Sequence, residues 1–146
     1  MEQQSVEALS AIPARMCEAW ARGDATGFYA DFAEDAELVE FEGSILRGRA
    51  ALIAANQPVF DTVMKGSRLV RSEVPFARIL APGYGVVHHR AGILLPGEEE
   101  PLSSRYVMQL LAVVWQNDRW EVATLQNARI VSFEATVALD NLATAA

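Results

Sequence analysis

One cysteine, one lysine and two histidines are all this 146-residue chain holds of the residues most used in redox, phosphate and metal chemistry. Cys17 stands alone, so no internal disulfide and no cysteine-type zinc site can form. Its neighbours Met16 and Ala19 suit a buried, inert thiol; a reactive thiol is the alternative. Positive charge is scarce, with 12 Lys and Arg against 19 Asp and Glu, a net charge of -7 and a pI near 4.8. Phosphate backbones and anionic membranes need clustered basic residues. Here the arginines are scattered, so neither nucleic acid nor membrane is an expected partner. No apolar run after Met1-Glu2-Gln3-Gln4-Ser5 is long enough for a signal peptide or a membrane span, which gives a cytoplasmic expectation. No nucleophile elbow, phosphate-cradling glycine loop or dinucleotide fingerprint occurs. Gly83-Tyr84-Gly85 is too short and follows a proline turn. His88 and His89 are adjacent in an extended stretch and point to opposite faces, so they cannot chelate one ion side by side. No third ligand stands at a recognisable spacing. No metal and no cofactor are expected.

What is present is a core. Hydrophobic residues make up 51% of the chain, with three Trp, three Tyr and six Phe. The length fits a single domain over 1–146, with a core of about 6–131 and a tail at 132–146. Apolar residues at helical spacing run from Val6 to Ala21. Pro13 there means either a kink or a regular helix starting near Ile12 after a short leading turn. Asp24 caps a second short helix over Thr26–Phe32. Leu38–Phe41 is a strand. Arg49–Met64 is a third helix, interrupted at Pro58 and closed by Gly66. Long strands follow at Leu69–Leu80 (bulged near Pro75), Tyr84–Leu95, Ser103–Gln116 and Arg119–Ile130. Phe133–Leu142 adds a strand or a helix. Three N-terminal helices before antiparallel strands give a segregated α+β fold, with a concavity between helices and curved sheet.

The last hairpin can be worked out residue by residue. With Asn117-Asp118 as a two-residue loop, Trp115 faces Trp120, Val113 faces Val122, Leu111 faces Thr124 and Gln109 faces Gln126. Arg105 lies further along that face. Arg105, Gln109 and Gln126 then either hold oxygen atoms of a ligand, or pair among themselves and with carboxylates at the sheet edge, or sit in a dimer interface. Both faces of the hairpin are largely apolar, so one covers the core and the other meets a second subunit. His89 shares a face with Val87, Ala91 and Ile93. It is a satisfied core residue or, on the concave side, a general base. Glu40, alternating against Val39 and Phe41, most simply faces solvent; inside an apolar pocket it could instead take a proton next to a carbonyl. Trp20, Tyr29, Phe32, Phe41 and Phe60 are core aromatics, some of which wall the cavity.

The stretch Trp20 to Ala51 reads as helix end, short helix, strand, turn and helix. Arg22-Gly23-Asp24 stops one helix and caps the next, and Arg47-Gly48-Arg49 launches the third. This order resembles the SnoaL-like branch of the nuclear transport factor 2-like superfamily, whose cystatin-like fold is a cone around a pocket. Ala19 to Asp24, Phe32 to Ala36, Leu46 to Arg49, Arg105-Tyr106 and Trp120 to Asn127 are most similar to the SgcJ/EcaC-type family of enediyne antibiotic gene clusters. The resemblance implies a cone-shaped domain that dimerises through its sheet. It also implies cofactor-independent chemistry in some relatives, among them polyketide cyclases that use an Asp or Glu with a His. Asp118 and Asp140 lie at a hairpin tip and in the tail, so that pair has no residue-by-residue match here.

The expectation is a homodimeric protein of natural-product (polyketide or enediyne-type) biosynthesis that binds or sequesters an apolar, oxygen-bearing small molecule. Its pocket would draw on Trp20, Tyr29, Phe41, Phe60, His89, Arg105, Gln109 and Gln126. One alternative is a cofactor-independent isomerase, cyclase or dehydratase with His89 or Glu40 as general base. The other is a dimeric interaction module with a vestigial pocket.

Overall fold

Pro13 decides how the chain enters its helical layer. The computed structural model, which describes residues 3–145, divides the expected first helix into α1 (Val6–Ser10) and α2 (Ile12–Ala21). Pro13 thereby falls in the first turn of α2, where a missing N–H leaves no hydrogen bond unmade. The Asp24 side chain accepts from the Gly27 amide at 2.9 Å and starts α3 (Ala25–Phe28). This helix is shorter than expected because Phe32 opens a strand, β1 (Phe32–Val39), instead of closing a helix. A three-residue strand not expected from the sequence, β2 (Ile45–Arg47), pairs antiparallel with β1. Gly48, at φ 91°, turns the chain into α4 (Arg49–Asp61). That φ favours glycine. The helix ends three residues after Pro58, at Asp61 rather than Met64.

Four long strands follow, as the sequence predicts: β3 (Arg68–Ala81), β4 (Tyr84–Leu94), β5 (Tyr106–Gln116) and β6 (Arg119–Arg129). Residues Ser103–Arg105, expected in the strand, form a 3-10 turn before β5. The sheet order is β2-β1-β6-β5-β4-β3. All neighbours are antiparallel except β1 and β6, which run parallel. The bulging expected near Pro75 is present: the β3–β4 register shifts between Val70 and Glu73 and again before Phe76. The segment left open between strand and helix is α5 (Phe133–Ala145), which buries no residue.

The helices cover one face of the sheet. Leu9, Ile12, Met16, Leu52 and Phe60 pack from the helices against Val87, Leu111, Val113, Trp120, Val122 and Leu125 from the strands. The face shared by Val87, His89, Ala91 and Ile93 is therefore the inner one. The fold is α+β and cone-like, with helices on a curved six-stranded sheet. No helix among the described residues is long and apolar enough to cross a membrane.

The hairpin corrects one sequence expectation. Asn117 and Asp118 have φ of 54° and 57°, the mirror-image turn that matches strand twist. Trp115 faces Trp120 and Val113 faces Val122, as expected. The register then slips by one residue: Ala112 faces Thr124, Leu111 faces Leu125, Leu110 faces Gln126 and Gln109 faces Asn127. Ala123 is the extra residue of a β-bulge. Because side chains alternate, one added residue exchanges the faces of everything beyond it. Leu125 and Asn127 turn inward, and Gln126 turns out to solvent.

Candidate functional site

A cavity of about 160 Å³ lies between the helices and the inner face of the sheet. Its walls are apolar. Trp20 comes from α2, Phe28 and Tyr29 from α3 and its cap, and Val59 and Phe60 from α4. Leu38, Leu69, Ile93, Val107 and Leu125 come from five strands. The aromatic side is held edge-to-face: Trp20 meets Phe60 at 4.9 Å and Phe28 at 5.8 Å, and Phe28 meets Tyr29 at 4.9 Å. The Trp20 indole N–H donates to Ser67 Oγ at 2.9 Å, which fixes its ring plane. Phe41 stands at the rim, 40% exposed, with the Arg129 guanidinium over its ring. Phe32, the fifth aromatic singled out in the sequence, is buried beside Tyr29 and does not reach the cavity.

The polar lining is confined to Glu40, Asn56, Gln109, Asn127 and the Tyr29 hydroxyl. Glu40 follows the last residue of β1 and continues the inward row of Ala36 and Leu38. It is half-buried and faces the cavity, not open solvent, which reverses the simpler sequence reading. The strand starts at Phe32, so the alternation that matters runs through Ala36 and Leu38. Burial pushes the Glu40 carboxyl above the usual range. The hydrogen bond from Asn127 works against this shift, and the nearby Glu42 charge adds to it. Tyr29 is raised too, first by burial and then by the Glu40 charge, so its phenol stays protonated as a donor.

Behind Glu40 runs a chain of side-chain hydrogen bonds. Asn127 Nδ2 donates to Glu40 Oε2 at 3.1 Å, and Gln109 Nε2 donates to Asn127 Oδ1 at 3.0 Å. Gln109 Oε1 lies 2.8 Å from His89 Nδ1, and His89 Nε2 lies 2.8 Å from Ser72 Oγ. Cys17 ends the row, its Sγ 3.6 Å from Ser72 Oγ. His89 has no exposed surface and lies outside the cavity lining, behind Gln109. Burial lowers its pKa, partly offset by Gln109, and keeps the ring neutral. Burial also raises Cys17 and keeps it a thiol.

Of the residues singled out in the sequence, Trp20, Tyr29, Phe41, Phe60, Gln109 and Glu40 border the cavity. Gln126 is on the opposite face through the bulge. Arg105 sits in the turn before β5, where it pairs with Glu98 and donates to the Ile93 carbonyl at 3.2 Å. Sheet-edge pairing, the second sequence reading of this arginine, describes its position. The sequence reading passed over Asn56 and left Asn127 facing away from Gln109. A signal for Asn127 was available: the apolar spacing Trp120, Val122, Leu125 breaks strict alternation where the bulge falls. No three His, Cys, Asp or Glu side chains converge into a metal-binding group among the described residues.

No protein-family model matches the chain, and no curated protein matches it. Solved structures do. A domain of unknown function with a cystatin-like fold from Nostoc punctiforme is 33% identical, with a TM-score of 0.90 over 99% of this chain and 88% of that one. A nuclear transport factor 2-like protein with a cystatin-like fold from Novosphingobium aromaticivorans is 19% identical, with a TM-score of 0.70, covering 91% of this chain and 86% of that one. A ketosteroid isomerase-like protein from Erwinia carotovora atroseptica is 14% identical, with a TM-score of 0.69, covering 90% and 100%. The last two share the fold alone.

Proposed function

Since the chain belongs to one family with the cystatin-like-fold domain from Nostoc punctiforme, we propose that it binds an apolar small molecule bearing a carbonyl group and moves a proton on it with Glu40. The observation that carries this reading is a half-buried carboxyl of raised pKa, the one carboxylate among the described residues lining a mostly apolar cavity. A carboxylate shifted toward neutral pH suits proton transfer, because it is a stronger base while still ionised. With a ligand carbonyl near the Tyr29 hydroxyl, Glu40 would remove a proton from the adjacent carbon. Tyr29 would donate a hydrogen bond to the oxygen as charge develops there. Glu40 would return the proton to another carbon, giving an isomer with no cofactor. The ketosteroid isomerase-like neighbour is consistent with this class of chemistry through its fold alone.

The natural-product setting implied by the sequence resemblance is part of the same proposal: the ligand would be a polyketide-type ketone or enone. Dimerisation through the sheet is proposed with it. Phe76, Leu80, Tyr84 and Leu110 stand exposed on the sheet face turned away from the helices.

The test is proton exchange. Cavity-sized apolar ketones and enones are incubated with the protein in heavy water, and deuterium uptake next to the carbonyl is read by NMR. The wild type is expected to exchange at least one of them, and Glu40→Gln to bind it equally while exchange falls about 100-fold or more, a typical worth of a general base. Exchange undiminished in Glu40→Gln would sink the catalytic reading. Binding without exchange in the wild type would favour sequestration, for which the Glu40 carboxylate would serve as acceptor of a ligand hydroxyl.

A further inference from the structure

The row from Glu40 to Cys17 has a direction, and that direction depends on one proton. A carboxylate can only accept hydrogen bonds. Asn127 must therefore offer Glu40 its Nδ2, which leaves Oδ1 to accept from Gln109 Nε2. Gln109 Oε1 is then the atom facing His89 Nδ1, so that ring nitrogen must carry the proton. His89 Nε2 is left as an acceptor, filled by the Ser72 hydroxyl, and Ser72 Oγ accepts in turn from the Cys17 thiol. From Glu40 to His89 each group has one role compatible with its neighbours, while the Cys17 thiol, also 3.8 Å from His89 Nε2, can donate to either acceptor. Reversing the row would set Asn127 Oδ1 against the Glu40 carboxylate, two acceptors face to face.

We infer that His89 is a positioning residue for Glu40: as the Nδ1–H tautomer it fixes the amide orientation of Gln109, and through it the Asn127 donor that stabilises the Glu40 anion. The inference deepens the proposed function and rests on Glu40 being the working group there. His89 touches neither the cavity nor any ligand within it, so it acts only through the two amides. It is fully buried on the inner face of β4, Gln109 is buried on β5, and Asn127 lies opposite Gln109 on β6. The β-bulge at Ala123 supplies the register that brings the last two together. The titratable neighbours are few. Cys17 on α2 faces His89, Glu42 adds to the upward shift of Glu40, and the Glu40 charge in turn raises Tyr29. None carries a charge that could substitute for the tautomer in orienting the amides.

The experiment uses the free protein and needs no ligand. Nitrogen-15 NMR of the His89 ring in the full chain reads the tautomer directly. The expected result at neutral pH is a protonated Nδ1 and an unprotonated Nε2; the opposite tautomer, or an imidazolium, overturns the inference. Carbon-13 NMR then follows the Glu40 carboxyl as a function of pH. His89→Phe removes the ring donor and frees the amides, and the Glu40 midpoint is expected to rise by about half a unit to one unit, the effect of weakening one hydrogen bond to the anion. His89→Asn places an amide N–H close to the Nδ1 position and is expected to bring the midpoint back, whereas His89→Gln reaches toward the Nε2 position and is not. An unchanged midpoint in His89→Phe, or equal shifts in the Asn and Phe variants, would leave His89 a packing residue only. If His89→Phe does not fold, the tautomer measurement and the Asn/Gln pair still decide. Failure here leaves the heavy-water result for Glu40→Gln untouched, and an inactive Glu40 leaves the tautomer untouched, so the two readings fail separately.

Discussion

Glu40 is less comfortable as an anion in the folded chain than in the unfolded one, because burial against the cavity wall removes water from the carboxylate. Its folded pKa is raised, so the folded state holds this proton more tightly. Its contribution to stability is then full below the ordinary carboxylate range and is lost as pH rises through the folded value. Glu40→Gln removes that loss. Thermal melts from about pH 4 to about pH 8 should show the variant gaining on the wild type as pH rises and ending with the higher Tm at neutral pH. A parallel pair of profiles would show that the cavity does not penalise the charge. A functional group that lowers stability is a common trade-off at sites built for chemistry. At this scale the sequence revealed residue types and missed orientation. Trp20, Tyr29 and Phe60 were legible as inward aromatics because they sit at helical spacing on helices that must cover a sheet. Glu40 was misread because its strand was started at Leu38 instead of Phe32.

Capping and turn chemistry governed the elements. Asp24 closes one end of α3, a four-residue helix that also carries Tyr29 at its cap. Gln57 of α4 reaches the same corner, its Oε1 accepting from Ala25 N and its Nε2 donating to Gly23 O. Asp24→Ala should cost about 1 kcal/mol in urea unfolding, the usual worth of such a cap. No change would mean that the Gln57 clamp alone holds the corner. In the last hairpin the turn residues fixed the pairing as far as Val113 and Val122. Past that point Ala123 decides, since a bulge depends on how the sheet must curve over the helices. Its local trace is the broken apolar spacing of Trp120, Val122 and Leu125.

At the scale of the molecule, four long strands must bury one face and leave the other. The helices take the face bearing Val87, His89 and Leu111, and the opposite face keeps Phe76 68% exposed. Light scattering is expected to give twice the chain mass of 15.9 kDa. Phe76→Arg, at the middle of the proposed interface, is expected to halve that value without altering ligand uptake in the cavity. A wild type of single-chain mass would remove the dimer from the proposal.

The sequence by itself determined the α+β class, the helix starts at Asp24 and Gly48, the four long strands and the first half of the last hairpin. These follow from short-range causes: caps, prolines, turn residues and periodicity of two or about three and a half. Tertiary structure alone decided the parallel pairing of β1 with β6, the inward turn of Glu40, and the union of His89, Gln109 and Ser72 in one hydrogen-bonded row. Those contacts join residues far apart in the chain. The meeting of Gln109 with Asn127 depends in addition on a one-residue slip in register, and a slip of that size exchanges the inner face for the outer.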